Sequence, residues 1–173
     1  MRFVSFEQNG QAAYGVWKDE GVWLRAPASF VSKYPDLKSV IQAGQLDALE
    51  AVARQAGEEV SATNVRLLPV ISNPGKVFCV GLNYKTHVAE MKRADSEHPA
   101  IFTRFADSLS AHGAPLPKPA ATKRFDFEGE LAVIIGKGGR NISQADAWDH
   151  IAGYACFNDG TARDWQRHTH QWT

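Results

Sequence analysis

One stretch carries the clearest structural signal in this chain: Asp126-Phe-Glu-Gly-Glu-Leu-Ala-Val-Ile-Ile-Gly136. Its second half is an apolar run that ends at a glycine, which predicts a buried strand. Its first half places Glu128 and Glu130 two residues apart, so in a strand both side chains leave the same face. Adjacent carboxylates repel each other and need a positive partner if they are buried. The pair therefore indicates either a cation site or two solvated carboxylates on an edge strand.

A second stretch, Gly153-Tyr-Ala-Cys-Phe-Asn-Asp159, has the same character. It is a short apolar strand pattern that ends on an acid where a loop begins. A third carboxylate beside the Glu128 and Glu130 pair would give an all-oxygen site, which suits a hard divalent cation such as Mg²⁺ or Mn²⁺.

The composition narrows the class of protein. The chain has 173 residues, enough for one ordinary domain with a small appendage, and its formal charge is zero. Neutrality argues against nucleic acid or an anionic membrane as the partner. The sequence contains neither an apolar run of about 18 residues nor a signal peptide, so we expect a cytoplasmic protein. Cys79 and Cys156 lie in apolar strand-like runs, which predicts small buried core residues in a reducing compartment.

The sequence of residues 1–68 predicts a small α+β N-terminal domain with no candidate catalytic residues. Apolar runs over residues 2–26, separated by turns at 9–10 and 19–21, indicate a three-stranded meander. Two helices should follow, the first capped by Asp36 and ended by Gly44, the second stopped by Gly57.

Residues 69–173 hold the candidate chemistry. Strands are predicted at 76–81 and 100–105, an irregular connection at 110–124, and a short helix that Ser143 caps. His87 and Glu90 lie three apart on one helical turn, which fits a base with its orienting carboxylate or a surface His–Glu pair. His168 and His170 lack a third ligand at a recognisable spacing, which favours a polar loop.

Three motifs, in this order, resemble the fumarylacetoacetate hydrolase family: Gly81-Leu-Asn-Tyr-Lys-Thr-His87 with Glu90, Asp126-Phe-Glu-Gly-Glu-Leu-Ala-Val-Ile-Ile-Gly-Lys137, and Asn158-Asp-Gly-Thr-Ala-Arg-Asp-Trp-Gln166. The resemblance covers residues 70–173 and is of the bacterial fumarylpyruvate or acylpyruvate hydrolase type. It implies an α+β fold, mainly β: a mixed β-sandwich roll, usually a homodimer, preceded here by the small N-terminal domain. Family members continue past this point, so we expect an incomplete catalytic domain.

The resemblance also implies roles for individual residues. It makes Glu128, Glu130 and Asp159 the ligands of Mg²⁺, or of Mn²⁺ or Ca²⁺. It makes His87 and Glu90 a catalytic dyad on a lid. Substrate-binding positions are Arg163, Gln166, Tyr84 and Arg104. The family often has Lys where this chain has Arg104, and a guanidinium does not readily give up a proton as an ammonium can.

The function implied is a metal-dependent hydrolase that cleaves a C–C bond in a small β-diketo or acylpyruvate-type acid. One alternative is a decarboxylase or isomerase of a hydroxymuconate-like diacid at the same metal. The other is a non-catalytic, truncated homologue.

Overall fold

A computed structural model of the chain describes residues 1–90, 97–169 and 171–172. The fold is mixed α+β and mainly strands, as predicted. It divides into two compact units. The first contains Met1–Asn73, Ser110–Leu116 and Glu128–Asp159, and the second contains Pro74–Leu109, Pro117–Phe127 and Gly160–Thr173. The domain boundary that the sequence predicts after residue 68 stays a prediction.

The first unit begins with a five-stranded antiparallel sheet. Its strands lie in the spatial order β4-β3-β2-β1-β5. The meander is confirmed, since tight turns at Gly10 and Gly21, both with positive φ, join its strands. The bounds are β1 Phe3–Gln8, β2 Gln11–Asp19, β3 Val22–Arg25, β4 Glu58–Ser61 and β5 Arg66–Leu67.

Three helices cover one face of this sheet: α1 Ala28–Val31, α2 Leu37–Gln42 and α3 Leu46–Ala56. Asp36 caps α2 as predicted. Its carboxylate accepts a hydrogen bond from the Ser39 amide at 2.7 Å, and the Ser39 hydroxyl accepts one from the Asp36 amide at 3.2 Å. The core between sheet and helices includes Val16, Val40 and Leu49, each fully buried. Burial raises the pKa of Tyr14 in the same core to about 12, with a smaller contribution from Asp36.

The first unit also contains an antiparallel ribbon of β9, Gly129–Ile135, and β10, Ile151–Asn158. Both strands are confirmed, but the predicted burial of the apolar run is wrong. Leu131, Val133 and Ile135 are 57%, 46% and 62% exposed. These exposures show that no described element packs closely over this face of the ribbon. The predicted burial of Cys156 is wrong for the same reason.

The connection between the ribbon's strands contains the predicted Ser143 cap. Ser143 donates a hydrogen bond to the Asp146 carboxylate at 2.6 Å and accepts one from the Asp146 amide at 3.2 Å. The residues that follow form a 3₁₀ turn at Ala147–His150 rather than the short α-helix expected from the cap. A cap satisfies only the first amides of a helix and does not decide whether the following turn is α or 3₁₀.

The second unit is built from short elements. The ribbon of β6, Val77–Gly81, and β7, Ala100–Arg104, confirms two predicted strands, and α4, Lys85–Glu90, lies between them in sequence. β8, Phe125–Asp126, pairs with β11, Thr161–Ala162, which leads directly into α5, Arg163–Gln166. Gly81 must lack a side chain, because a Cβ there would lie 2.6 Å from the Trp172 ring. Cys79 of β6 is only half-buried, contrary to its predicted core position.

None of the helices in the described ranges is both long and apolar enough to span a bilayer.

Candidate metal and substrate site

The predicted metal ligands share one face of the β9–β10 ribbon. Gly129 pairs with Asn158 and Glu130 with Phe157, and the Asp159 amide donates to the Glu128 carbonyl at 2.9 Å. Glu128 therefore stands opposite Asp159, and Glu130 is the next residue on the same face. This face is the sheltered one: Glu128 and Glu130 are half-buried and Asp159 is buried. The local sequence explains the arrangement, since a two-residue period along β9 puts Glu130 on the face opposite to Leu131 and Val133.

Backbone contacts hold this end of the ribbon in place. The Asn158 side-chain oxygen accepts a hydrogen bond from the Glu128 amide at 3.0 Å. Asn158 is therefore a positioning residue that the sequence motif contains but pattern reasoning did not assign. No local signal points to it, because its partner lies 30 positions away.

Three carboxylates on one sheltered face are a donor set that fits a hard divalent cation. In the described ranges, no three His, Cys, Asp or Glu side chains form a group that could hold a metal ion as they stand. The structure thus supplies a shared face and register, and the assignment of these residues as ligands stays a prediction.

Arg163, a predicted substrate-binding residue, opens α5 in the second unit. Its Nε donates to Asp126 at 3.0 Å and its Nη1 to Gln166 at 3.3 Å, so the two predicted residues Arg163 and Gln166 are brought together. The pairing of β8 with β11 and a bond from the Arg163 amide to the Arg124 carbonyl at 2.8 Å hold the backbone. The partner Asp126 was not anticipated from the sequence.

A buried threonine fixes the same helix. Thr122 is only 1% exposed, and its hydroxyl donates to Asp164 at 2.5 Å while accepting from the Arg124 amide at 3.1 Å. The Lys123 amide donates to the other Asp164 oxygen at 3.0 Å. These hydrogen bonds, the one from Thr122 first, hold the pKa of Asp164 below its usual value. Sequence reasoning missed Thr122 because its partner lies 42 positions away.

The other predicted residues of the second unit lie around α4 and β7. Arg104 donates to the Gly160 carbonyl at 3.3 Å, and its guanidinium lies 5.9 Å from the centre of the Phe102 ring. Tyr84 is 46% exposed, and its carbonyl accepts from the Val88 amide at 3.0 Å at the start of α4. Glu90 ends α4. The His87 side chain, His170 and residues 91–96 of the predicted lid lie outside the described residues, so the dyad stays a prediction.

Leu82, between β6 and Tyr84, has a φ of +57°. A side chain with a Cβ rarely adopts this conformation, and such strain tends to occur at functional sites. It falls inside the motif that leads to His87.

Comparison with known proteins decides the family. Residues 76–173, more than half of the chain, match the family described as fumarylacetoacetate (FAA) hydrolase C-terminal. The chain belongs to this family. The fumarylacetoacetate hydrolase of Exiguobacterium antarcticum superposes with a TM-score of 0.72 at 31% identity, covering 98% of this chain and 59% of that one. The predicted fold class is confirmed by this similarity.

Two other family relatives carry different activities. The chain is 42% identical over 107 residues to the mitochondrial oxaloacetate tautomerase fahd2 of Xenopus laevis, which covers 62% of this chain and 34% of that protein. A maleylpyruvate hydrolase from Sphingobium sp. SYK-6, solved with manganese(II) and pyruvate, has a TM-score of 0.72 and 25% identity, covering 94% of this chain and 60% of that one. The chain thus spans about a third to three fifths of the relatives it matches.

Proposed function

We propose that this chain is the metal- and acid-binding part of an enzyme that cleaves a C–C bond in a small β-diketo or acylpyruvate-type acid. The observation that carries the proposal is the register of the β9–β10 ribbon, which puts Glu128, Glu130 and Asp159 on one sheltered face. Support also comes from the maleylpyruvate hydrolase, whose structure contains a divalent cation and a keto acid.

Glu128, Glu130 and Asp159 would hold Mg²⁺, or Mn²⁺ or Ca²⁺. Bound there, the cation would supply Lewis-acid polarisation of the substrate's keto oxygens. Arg163 would bind a carboxylate through its planar fork, and Gln166, its hydrogen-bond partner, a keto oxygen. Arg104 would add positive charge without transferring protons.

His87 would take a proton from water, and Glu90 would orient its imidazole and stabilise the positive charge that forms. The water oxygen then attacks the distal carbonyl, the C–C bond breaks, and the imidazolium returns its proton to the departing carbon. One acid and one keto acid leave. These two roles rest on the family resemblance.

A second candidate function is proton transfer within a keto acid, with the same residues as binding groups and base but without an attacking water. The 42% identity to an oxaloacetate tautomerase favours it. A base beside a keto acid can move a proton between carbon and oxygen, which serves tautomerisation, isomerisation and decarboxylation alike. Oxaloacetate therefore belongs among the substrates to be tested.

Metal binding is the first test. Titration of the purified chain with Mg²⁺ and Mn²⁺ in a calorimeter should show one site, weakened at least about tenfold by Glu128→Gln or Asp159→Asn, because each change removes a charged ligand. Glu20→Gln, an exposed acid in the turn after β2, is the matched control and should bind metal like the parent. Equal affinity in all four proteins would refute the ligand assignment.

Turnover is the second test. A panel of acylpyruvates, fumarylpyruvate and oxaloacetate, each with Mg²⁺, distinguishes cleavage from tautomerisation by the products. We expect His87→Ala to lower kcat by about 10²–10⁴, the range for loss of a general base, with metal affinity unchanged. His112→Ala, at an exposed histidine outside the site, should leave kcat unchanged. Full cleavage activity in His87→Ala would refute the assignment of His87 as the base that activates water.

The homodimer and the cytoplasmic location also remain proposals.

A further inference from the structure

An open pocket in the second unit has an unusual charge composition. It is lined by Arg124, Phe125, Asp126, Arg163 and Arg167. Three guanidinium groups therefore face one carboxylate. Arg124 and Arg167 belong to no motif that the sequence analysis selected, and the proposed function gives them no role.

The single carboxylate is already engaged. Asp126 accepts a hydrogen bond from Arg163 at 3.0 Å, and this pair is part of the link between β8 and α5. Across the described ranges, the side chains of Arg124 and Arg167 form no ion pair or hydrogen bond. Two positive charges of the pocket are thus uncompensated.

The backbone beneath these arginines is well held. The Arg124 amide donates to Thr122 at 3.1 Å and its carbonyl accepts from the Arg163 amide at 2.8 Å. Arg167 directly follows α5, and its amide donates to the Trp165 carbonyl. These backbone hydrogen bonds fix the positions from which both side chains extend, which limits the entropy lost when they close on a ligand.

An anion would relieve the repulsion among these guanidinium groups. A carboxylate fits best, because the planar fork of arginine can donate to both of its oxygens. The half-buried Phe125 ring offers an apolar wall for the carbon chain behind the carboxylate.

We propose that this pocket binds a carboxylate of a small organic acid, with Arg124 and Arg167 as binding residues beside Arg163. We assign it the second carboxylate of a diacid substrate, an assignment that rests on the proposed function. The binding of the anion does not rest on it. Arg124 and Arg167 would then make the protein prefer diacids over monoacids.

Direct binding tests the pocket without metal or turnover. Succinate is titrated into the purified chain in EDTA by calorimetry, with neutral succinamide and inorganic phosphate as separate arms. We expect succinate to bind, Arg124→Gln and Arg167→Gln each to weaken it about threefold to fivefold, the range for exposed charges, and the double variant to weaken it further. Arg140→Gln removes an exposed arginine from the other unit and should have no effect.

Three results would overturn the proposal. Succinate could bind both single variants as tightly as it binds the parent, succinamide could bind as tightly as succinate, or phosphate could bind more tightly than succinate with the same loss in the variants. The last result would identify free phosphate as the ligand. Circular dichroism of each variant shows whether the fold is intact, and Arg124→Lys keeps the charge if Arg124→Gln unfolds.

Turnover tests the assignment to substrate. Arg124→Gln and Arg167→Gln should raise KM for a diketo diacid about threefold to fivefold with kcat unchanged, and leave KM for a monoacid acylpyruvate unaltered. Equal KM changes for both substrates would refute the assignment. If the parent turns over no keto acid, the proposed function is wrong, and the succinate titration still tests whether the pocket binds a carboxylate.

Discussion

Thr122 shows how one side chain can fix a site from a distance. It lies in a Pro- and Lys-rich connection that composition predicts to be irregular, and yet it is buried. Its hydroxyl is both donor and acceptor, to Asp164 and from the Arg124 amide. Removing it leaves the Arg124 amide without its acceptor and takes one of its hydrogen bonds from Asp164, and an unsatisfied group costs more than the hydrogen bond itself is worth.

Thr122→Val should therefore lower the free energy of unfolding by about 1–3 kcal/mol, measured by urea denaturation. Because Asp164 is the neighbour of Arg163 on α5, the variant should also weaken succinate binding. Thr122→Ser keeps the hydroxyl and is the matched control, with succinate affinity close to that of the parent. If valine and serine behave alike, the hydroxyl does not position the helix.

The lowered pKa of Asp164 adds a pH dependence. Its hydrogen bonds favour the ionised form in the folded state, so the stability they give is fully present above the ordinary carboxyl pKa. It is lost as the pH falls through the lower folded value. As the pH is lowered below about 4, we expect the urea concentration at the unfolding midpoint to decrease less in Asp164→Asn than in the parent. Parallel curves would contradict this.

At the scale of single residues, the sequence predicted which side chains share a face better than it predicted long-range contacts. Glu128, Glu130 and Asp159 share a face because strand periodicity is local. Arg163 was predicted as a substrate residue, and its ion pair with Asp126 was not, because the partners lie 37 positions apart. No local rule connects residues at that separation.

Among the elements, α2 shows how a local signal sets a boundary. The Asp36 carboxylate accepts from the Ser39 amide at 2.7 Å and from the Asn73 side chain at 2.7 Å. Burial raises the pKa of this carboxyl, but these hydrogen bonds outweigh burial and the pKa lies below its usual value. The cap was predictable because Asp followed by an apolar helical stripe is a sufficient signal.

Asp36→Ala should lower the free energy of unfolding by about 1 kcal/mol, the usual value of a cap. Gln45 provides a matched control, because it occupies the cap position of α3 without forming a side-chain cap bond. Both variants are compared with the parent by thermal unfolding, and Gln45→Ala should change the free energy of unfolding by much less than Asp36→Ala. Equal losses would mean that the Asp36 bonds contribute little.

Burial of the elements was harder to predict than their type. The apolar run of β9 indicates a strand correctly, but burial depends on whether a second layer covers it. Leu131 and Val133 are 57% and 46% exposed, so no described element packs closely over their face of the ribbon. Cys156, opposite Leu131, is exposed with them. A sequence pattern specifies which side chains share a row and does not specify what lies above that row.

Considered as a whole, the two units differ in what they enclose. The sheet and helices of the first unit enclose a core that includes Val16 and Leu49, and Phe6 lies in a second, smaller cluster with Val4 and Val60. The β6–β7 ribbon of the second unit has Phe78 and Ile101 exposed, at 62% and 61%. Family resemblance predicted the fold class of both units, but residue patterns alone predicted only the first one in detail. Its contacts are mostly between neighbouring elements in the chain.

The exposed row on the β9–β10 ribbon predicts how the whole molecule behaves in solution. Leu131, Val133, Ile135 and Tyr154 are each 46–62% exposed and lie on one face. Contiguous apolar surface of this kind favours association. We expect the average mass in analytical ultracentrifugation to rise with concentration, and Val133→Lys to reduce it, because a charge in the row must be desolvated on contact. Val70→Lys is the matched control, because it places the same charge at a valine that is 37% exposed and lies outside this row. It should associate like the parent. If both variants associate like the parent, another surface joins the molecules, and the proposed homodimer must be sought there.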